Sequence, residues 1–405
     1  MTRSKATFAF VGTVVDECTC EHSPACSVAG NKFQLNLIRS LERVTGRPLD
    51  VISLRPVAMY PKGQGIIFTR ASQRLGRTST GWMIPFINLP IVKQVTVALA
   101  IFLHLFCWLV RHRSHPRVVL VYNLFSPLSL PVLAATALGG GKAVAIVAEL
   151  PLDFYTFRGV RGIFERMDFW FQNFAIRRFA GLVPFTRQIA EDFAPGLPSL
   201  VMEGGVVSEL GNPVTDAAIE GRPPPREAIC LYSGSLHEIN GIDLLLGAFK
   251  LVPGRQNRLW LFGSGPLEEL VRRAAAQDPR IVYWGALPNS TVIERQRQAT
   301  VLINPRPTSR SRLIRYSFPS KLLEYMMSGR PVVTTMLPGI PEEYYEFVYL
   351  LTDETPTGLA RLIGEVCSRD PLELERRGKG ARDFMLRNKN WTRQAERIRD
   401  FVSAL

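Results

Sequence analysis

Residues 228–262 read AICLYSGSLHEINGIDLLLGAFKLVPGRQNRLWLF, and this stretch decides the fold class. It begins with a short apolar run, Ala228–Ser233, and ends with a second one, Arg258–Phe262. Between them, Gly241–Leu251 has the apolar spacing of an amphipathic helix. A strand, a helix and a strand in so short a stretch are typical of a βαβ unit, whose two strands lie parallel in one sheet.

The same alternation of short apolar runs and longer helical patterns extends over the whole chain. A break separates two halves at the stretch that ends in Gly221-Arg-Pro-Pro-Pro225, which has the composition of a linker. The sequence therefore predicts an α/β protein with two doubly wound, Rossmann-like domains. We place the first domain at residues 1–205, the linker at 206–227 and the second domain at 228–387. Ligands of such sheets bind outside the carboxyl ends of the strands, so we expect one site in a cleft between two facing domains.

Composition indicates a folded, basic protein. The 405 residues are 46% hydrophobic and 21% charged, with a net charge of +14 that is concentrated in the first half. This charge favours an anionic membrane surface, nucleic acid or a phosphorylated substrate as partner. No aromatic and basic binding motif supports nucleic acid, so we predict none. We find no signal peptide, and six cysteines do not form a secreted framework in a chain this long, so we predict a reducing, cytoplasmic location.

One apolar segment leaves three interpretations open. Residues 94–110 carry no charge and are followed by a basic cluster, Arg111-His-Arg113. The segment is shorter than the roughly 20 residues of a spanning helix, so a buried or half-buried helix packed on the sheet is favoured. An interfacial membrane anchor is the second interpretation, and a transmembrane span is the third.

Two glycine turns follow neighbouring strands of the second half. Gly234-Ser235 follows the strand Ala228–Ser233, and Gly263-Ser-Gly265 follows the next one. Such turns let a backbone approach a ligand closely, although many of them only reverse the chain. Because both lie at the same edge of the predicted sheet, a shared site is more plausible than two separate ones.

The most informative segment for chemistry is residues 304–333. Four arginines crowd the loop after a strand, and Ser320 is a natural N-cap for a helix that begins with Lys321. A cation in the first turn of a helix is unfavourable unless an anion is also bound there. Lys321 and Arg306 therefore predict a diphosphate site, and Glu324, one turn later, suits the hydroxyls of a ribose. The alternative is a solvated arginine loop with a surface pair, Lys321 and Glu324.

A short loop of the first half holds four potential metal ligands, Cys18, Cys20, His22 and Cys26. Their spacing is not that of a usual structural zinc finger. We therefore favour a mobile active-site loop with reduced cysteines over a zinc site.

These segments resemble the retaining glycosyltransferases of family 4, which have the two-domain GT-B fold. The resemblance is carried by YSGSL (232–236), FGSGP (262–266), YSFPSKLLEY (316–325), SGRPVV (328–333) and PGIPEE (338–343). It implies an N-terminal acceptor domain, a C-terminal donor domain and a terminal helix, residues 388–405, that returns to the first domain. Bacterial enzymes that build capsular or exopolysaccharide repeat units are the most similar members.

The resemblance also implies roles for individual residues. Glu324 matches the second glutamate of the family's motif, whereas Tyr316 stands where the first is expected. Ser235 and Asn240 stand where the family has a cationic pair, so Lys321 and Arg306 are our candidates to replace it. In the first half, Gly30 matches a glycine loop of the family. Glu149 and Asp153 follow a strand, and their carboxylates either contact sugar or acceptor hydroxyls or have only a helix-capping or surface role. The residues expected at the donor are Gly30, Gly234, Ser235, Asn240, Gly263, Gly265, Tyr316, Phe318, Pro319, Ser320, Lys321 and Glu324, and those expected to act in catalysis are Lys321, Arg306 and Glu149.

The expected reaction is the transfer of a sugar, with retention of configuration, from a UDP-, GDP- or dTDP-sugar. The acceptor would be a saccharide hydroxyl, with a polyprenyl-diphosphate-linked saccharide favoured. We expect no cofactor and no obligate metal, and a peripheral position on the inner face of the cytoplasmic membrane. Two rivals remain: a non-catalytic binding or scaffold subunit of the same fold, and a nucleotide-sugar 2-epimerase, whose set of carboxylates and histidines we do not find.

Overall fold

The computed structural model describes residues 6–150, 155, 158–207 and 227–405. The predicted carboxylate of Asp153 and most of the predicted linker lie outside these residues. The chain divides into two compact units. The first is Met1–Gly204 together with Trp391–Leu405, and the second is Gly205–Asn390.

The first unit is a mostly parallel sheet with helices on its faces. Its strands are β1 (Thr7–Gly12), β2 (Asp50–Ser53), β3 (Ile67–Phe68), β4 (Ala71–Arg74), β5 (Thr80–Met83), β6 (Phe86–Ile87), β7 (Arg117–Tyr122), β8 (Lys142–Val147) and β9 (Gly181–Pro184). Its helices before the second unit are α1 (Glu17–Glu21), α2 (Val28–Thr45), α3 (Val92–Arg111), α4 (Ser126–Gly139), α5 (Gly159–Ile176) and α6 (Arg187–Phe193).

The order of strands in the main sheet of the first unit is β4-β5-β2-β1-β7-β8-β9. All neighbours are parallel except β4, which pairs antiparallel with β5 at the edge. The parallel strands thus run in the order 3-2-1-4-5-6 of a doubly wound sheet, and the order reverses between β1 and β7. Sequence patterning did not predict β3–β6. β3 and β6 are only two residues long, and β4 and β5 are not continuously buried, so they lack the apolar run of the other strands.

The second unit repeats this plan with an entirely parallel sheet. Its strands are β10 (Ala228–Ser233), β11 (Asn257–Phe262), β12 (Ile281–Gly285), β13 (Val301–Asn304), β14 (Val332–Thr335) and β15 (Tyr349–Leu351). Its helices are α7 (Ile242–Leu251), α8 (Glu268–Gln277), α9 (Asn289–Gln298), α10 (Lys321–Met327), α11 (Pro356–Cys367) and α12 (Pro371–Asn388). The strand order is β12-β11-β10-β13-β14-β15, so the reversal lies between β10 and β13.

The last helix, α13 (Trp391–Ala404), belongs to the first unit. It packs against α2, and the Trp391 ring meets Phe33 edge-on at 5.1 Å between ring centroids. Gln394 also donates a hydrogen bond of 2.7 Å to the Gly204 carbonyl. Burial of the Trp391 indole explains why the chain returns to this unit after leaving it.

Candidate functional site

The reversal of strand order in the second sheet places two chain segments side by side. β10 ends at Ser233 and continues into Gly234, and β13 ends at Asn304 and continues towards Arg306. Because the strands are parallel, both segments leave the same edge of the sheet. The crevice that forms where neighbouring connections diverge is where doubly wound folds bind their ligands. This edge is therefore the first place to look for chemistry.

Lys321, the first residue of α10, occupies this edge. Its Nζ donates a hydrogen bond of 2.8 Å to the Tyr232 hydroxyl and lies 4.1 Å from the centroid of that ring. A Cβ at position 234 would lie only 2.7 Å from Nζ, and Gly234 has a φ of +140°. Glycine is therefore needed there both for the backbone conformation and to leave room for the lysine.

Lys321 and Arg306 both lie at this edge of the sheet, and their positive charges repel each other. Burial and the neighbouring Arg306 guanidinium lower the pKa of Lys321 to about 7, whereas Glu324 acts in the opposite direction. Arg306 donates a hydrogen bond of 3.1 Å from Nη1 to the Ser317 hydroxyl. A bound anion would favour the charged form of Lys321 and relieve the repulsion between the two cations. This pair of cations could therefore bind an anion such as a phosphate group.

A hydrogen-bonded chain fixes the carboxylate next to this pair. The buried Gln296 amide donates to Glu324 at 2.6 Å and to the Ser233 hydroxyl at 3.1 Å. The fully buried Tyr325 hydroxyl in turn accepts a hydrogen bond of 2.8 Å from the Ser233 amide. This network ties α10 to the end of β10, so the Glu324 carboxylate has a defined position for accepting hydrogen bonds from ligand hydroxyls.

The four arginines of the loop 305–319 do not act as one cluster. Arg310 forms an ion pair with Asp243 and lies 3.8 Å from a Glu238 oxygen, so its charge is balanced within the protein. Arg312 and Arg315 are exposed, and the Arg315 guanidinium lies 5.3 Å from the centroid of the Tyr316 ring. Among the four, Arg306 is the one whose charge acts on Lys321.

The helix begins at Lys321 with Ser320 at the N-cap position, as predicted, but the predicted capping by the Ser320 side chain is wrong. Ser320 has helical dihedral angles, with φ −53° and ψ −29°, and its hydroxyl makes no capping hydrogen bond. The turn already begins at Pro319, whose carbonyl accepts from the Leu322 amide at 2.8 Å. Because α10 spans seven residues, its dipole would add little to the binding of an anion, which would depend on the side chains of Lys321 and Arg306. Phe318 and Pro319 are buried, with the Phe318 ring 5.7 Å from Tyr344, so they hold the loop in place.

The second glycine turn has a structural role. A Cβ at Gly263 would lie 2.0 Å from the Gly234 carbonyl oxygen, and one at Gly265 would lie 2.6 Å from the Leu236 carbonyl oxygen. These glycines let two neighbouring turns pack backbone against backbone. The helix that follows, α8, carries two glutamates in its first turn, which disfavours a phosphate there.

The two positions at which the family's cations are missing lie beside the first turn. The Asn240 side-chain amide donates to the Ser235 carbonyl at 2.9 Å, and the Tyr232 hydroxyl donates to the same oxygen at 2.8 Å. Ser235 itself is exposed. Asn240 thus shapes the turn around Gly234, although it brings no charge.

The predicted residues of the first unit lie at the other reversal of strand order. Gly30 is the third residue of α2, so the predicted glycine loop is wrong: Ser27 caps the helix by accepting from the Gly30 amide at 3.2 Å. The Tyr122 hydroxyl, at the end of β7, lies 3.4 Å from where a Cβ of Gly30 would be. Burial and the Glu149 carboxylate raise the pKa of Tyr122. Gly30 and Glu149 therefore flank the same buried tyrosine.

The cysteine loop differs in one respect from the favoured sequence interpretation. Cys20 and Cys26 form a disulfide, so the prediction of reduced cysteines was wrong for this pair. Within the described ranges, no three His, Cys, Asp or Glu side chains are placed to hold a metal ion. Cys18 stays a free, exposed thiol with its Sγ 3.7 Å from His22 Nδ1. The sequence separation of 6 between the two cysteines is compatible with either state, which is why the spacing could not decide the pairing.

Sequence reasoning missed the partners that organise the site. Tyr232, Gln296 and Tyr325 contact or fix the predicted residues. The two tyrosines stand at positions that read as core, and Gln296 lies in a charged stretch that reads as an exposed helix face. Tyr232 and Tyr325 lie within the motifs that carry the family resemblance, and their hydroxyls were the available signal, because a buried hydroxyl needs a hydrogen-bond partner.

Comparison with known proteins agrees with this topology. Residues 227–369 match the family model described as "Glycosyl transferases group 1". Sucrose-phosphate synthase from Thermosynechococcus elongatus superposes with a TM-score of 0.68 and 15% identity, over 98% of this chain and 100% of that one. The fold is GT-B.

Other solved structures share this GT-B fold. Anabaena HepE in complex with UDP superposes with a TM-score of 0.61 and 12% identity, over 98% of this chain and 100% of that one. WaaG, a glycosyltransferase involved in lipopolysaccharide biosynthesis, superposes with a TM-score of 0.57 and 13% identity, over 98% of this chain and 99% of that one. In sequence, a Pseudomonas aeruginosa protein described as a probable glycosyltransferase, WbjE, is 26% identical over 151 residues. That match spans 34% of this chain and 36% of the relative.

Proposed function

We propose that this protein is a glycosyltransferase that binds the diphosphate of a nucleotide sugar between Lys321 and Arg306. The observation that carries the proposal is the placement of both cations at the reversal point of the second sheet, where Gly234 opens space for the lysine. The match of residues 227–369 to a glycosyltransferase family model supports it. So do the GT-B structures of HepE, which were solved with UDP and with UDP-glucose.

The chemistry of transfer follows from charge. As the bond between the sugar and the diphosphate breaks, negative charge grows on the leaving oxygen. Lys321 and Arg306 would stabilise that charge, and their effect is larger at a partly buried site than in water. The leaving diphosphate can accept the proton of the acceptor hydroxyl, so the step needs no protein base. Glu324 would hold the ribose hydroxyls through the position that Gln296 gives it.

The finer parts of the proposal rest on the family resemblance and on the basic first half of the chain. They are retention of configuration, transfer without an obligate metal, and a polyprenyl-diphosphate-linked saccharide as acceptor in polysaccharide or glycolipid synthesis. We further propose a peripheral position on the inner face of the cytoplasmic membrane. NMR analysis of the product anomer and transfer in the presence of a chelator test the first two points.

The donor site is tested by titrating UDP, GDP and dTDP into the full chain, and then sugars linked to each of these nucleotides. Arg306→Gln should weaken binding of the preferred nucleotide by about 10- to 100-fold, the usual effect of losing a charge-assisted contact. Arg312→Gln, which removes an exposed arginine of the same loop, is the matched control and should leave binding unchanged.

Each outcome of this experiment separates the candidate functions. Binding with transfer to an acceptor, or with slow donor hydrolysis, supports the transferase. Binding without turnover on any sugar of the panel supports a scaffold subunit, and a change of the sugar at its C2 position supports an epimerase. No binding of any of the three nucleotides would refute the assignment of the site.

A further inference from the structure

The first unit carries an apolar surface that the described part of its own fold leaves uncovered. On α3, Val95, Leu99 and Leu103 recur at every fourth residue and are 61%, 56% and 53% exposed. The opposite side of the same helix, which includes Ile101, is buried in the core. By length and composition α3 is also apolar enough to cross a membrane. The helix is therefore fixed to the protein on one side and apolar on its outer side as well.

A small hairpin extends this surface beyond the start of α3. β3 and β6 pair antiparallel, and the Ile87 amide donates a hydrogen bond of 3.2 Å to the Thr96 hydroxyl of α3. Ile67, on β3, is 74% exposed, and Ile91, just before α3, is 61% exposed. We call the set Ile67, Ile91, Val95, Leu99 and Leu103 the α3–hairpin face.

Charge identifies the kind of partner. Residues 51–148, which include this face, contain ten Lys and Arg residues and no Asp or Glu. Such a stretch attracts an anionic surface. A second copy of the chain is a poor occupant, because a twofold interface would bring the same cationic region against itself.

A neighbouring helix of the same layer shows the same pattern. α4 packs against both α3 and α5, so the three helices cover one side of the sheet. α5 exposes Met167, Trp170 and Phe174 at helical spacing, and the Arg178 guanidinium lies 3.4 Å from the centroid of the Phe174 ring. Exposed tryptophan and arginine beside apolar side chains are typical of a protein surface at a membrane–water interface.

We propose that the α3–hairpin face docks on an anionic lipid bilayer, with α3 lying along the interface instead of crossing it. The buried side of α3 holds it to the sheet, and the outer side enters the boundary between headgroups and acyl chains. This inference specifies the surface behind the proposed peripheral location and rests on that part of the proposed function, but not on the transfer reaction or the donor site.

Sedimentation of the full chain with lipid vesicles tests the proposal. The protein should bind vesicles that contain phosphatidylglycerol, bind phosphatidylcholine vesicles far less, and release as salt is raised. The double variant Leu99→Gln with Leu103→Gln should bind vesicles about tenfold or more weakly, because it replaces two apolar side chains that would enter the bilayer interface. Leu251→Gln with Leu372→Gln is the matched control, because these leucines of the second unit are 55% and 72% exposed, and it should bind like the wild type.

Failure of this inference is distinguishable from failure of the proposed function. Absence of wild-type binding to the anionic vesicles, or equal losses in the two double variants, would overturn the docking surface. The proposal would also be overturned if the α3 double variant bound vesicles like the wild type but changed its oligomeric mass, because that result would assign the face to a second copy of the chain. Nucleotide titration of the same variants reports on the donor site alone and should give wild-type affinity in both.

Discussion

Donor binding should be linked to the protonation of Lys321. In the free protein the pKa of this lysine is about 7, so at pH 9 only about 1% of it is charged. A diphosphate beside Nζ favours the charged form, and binding above pH 7 must then take up a proton. Affinity should therefore be constant below pH 7 and fall about tenfold for each further pH unit. The loss reaches about 100-fold at pH 9, or about 2.7 kcal/mol.

Calorimetric titration with UDP-glucose between pH 6 and pH 9 measures this linkage. A nucleotide sugar is the right ligand because its diphosphate has no group of its own that titrates in this range. Repeating the titration in buffers of different ionisation enthalpy gives the number of protons taken up. Arg306→Gln removes a cation that lowers the lysine pKa, so the fall in affinity should begin at a higher pH in that variant.

Lys321→Met is the control for both the linkage and the fold. It should bind UDP-glucose weakly and with no pH dependence.

The same variant tests the stability of the fold. Between pH 7 and the ordinary lysine pKa of 10.5, the unfolded chain binds a proton at Lys321 that the folded chain does not. Burial of the charged ammonium therefore destabilises the wild type fully below pH 7, and this destabilisation decreases as pH rises. Lys321→Met should have a higher melting temperature than the wild type at pH 6. A flat affinity profile in the wild type, or the same slope in Lys321→Met, would refute the reasoning.

Three further outcomes are expected from other parts of the protein. Glu324→Gln should weaken nucleoside diphosphate binding by about tenfold, as seen by calorimetry, because an amide is a poorer acceptor for ribose hydroxyls than a carboxylate; an unchanged affinity would contradict the ribose role. Gly263→Ala should lower the free energy of unfolding by about 2 kcal/mol or more, whereas Gly364→Ala, in open space on a helix, should raise it by about 0.5 kcal/mol; equal shifts on denaturant unfolding would contradict the close-approach argument. An alkylating reagent should leave Cys20 and Cys26 unmodified, by mass spectrometry, until a dithiol reductant is added; modification without reductant would contradict the disulfide.

Much of the fold was predictable, because buried strands and helices have regular patterns of apolar residues in the sequence. Most parallel strands of both sheets are nearly continuous apolar runs, and β10, β11 and the helix between them were visible in one 35-residue stretch. The short strands β3 and β6 left no such pattern, since two residues cannot show a period. The structure nevertheless uses them to extend the apolar surface of α3.

The residues of the candidate site were also predicted only in part. Lys321, Arg306, Gly234 and Glu324 were predicted from their order and residue types, and the structure brings them to one edge of the second sheet. The position of Ser320 before the helix was predicted correctly, but its capping hydrogen bond was not found, because a serine that caps and one that does not look identical in sequence.

The sequence alone determined the alternation of elements, the two doubly wound units and the residue types of the candidate diphosphate site. These properties depend on local periodicity and on the order of segments along the chain. Only the tertiary structure decided which of four arginines acts on Lys321, that two glycines serve backbone packing, and that Cys20 is bonded to Cys26. The reason is physical: a pKa, a steric contact or a disulfide depends on distances of a few ångströms between segments far apart in sequence, and those distances exist only after packing.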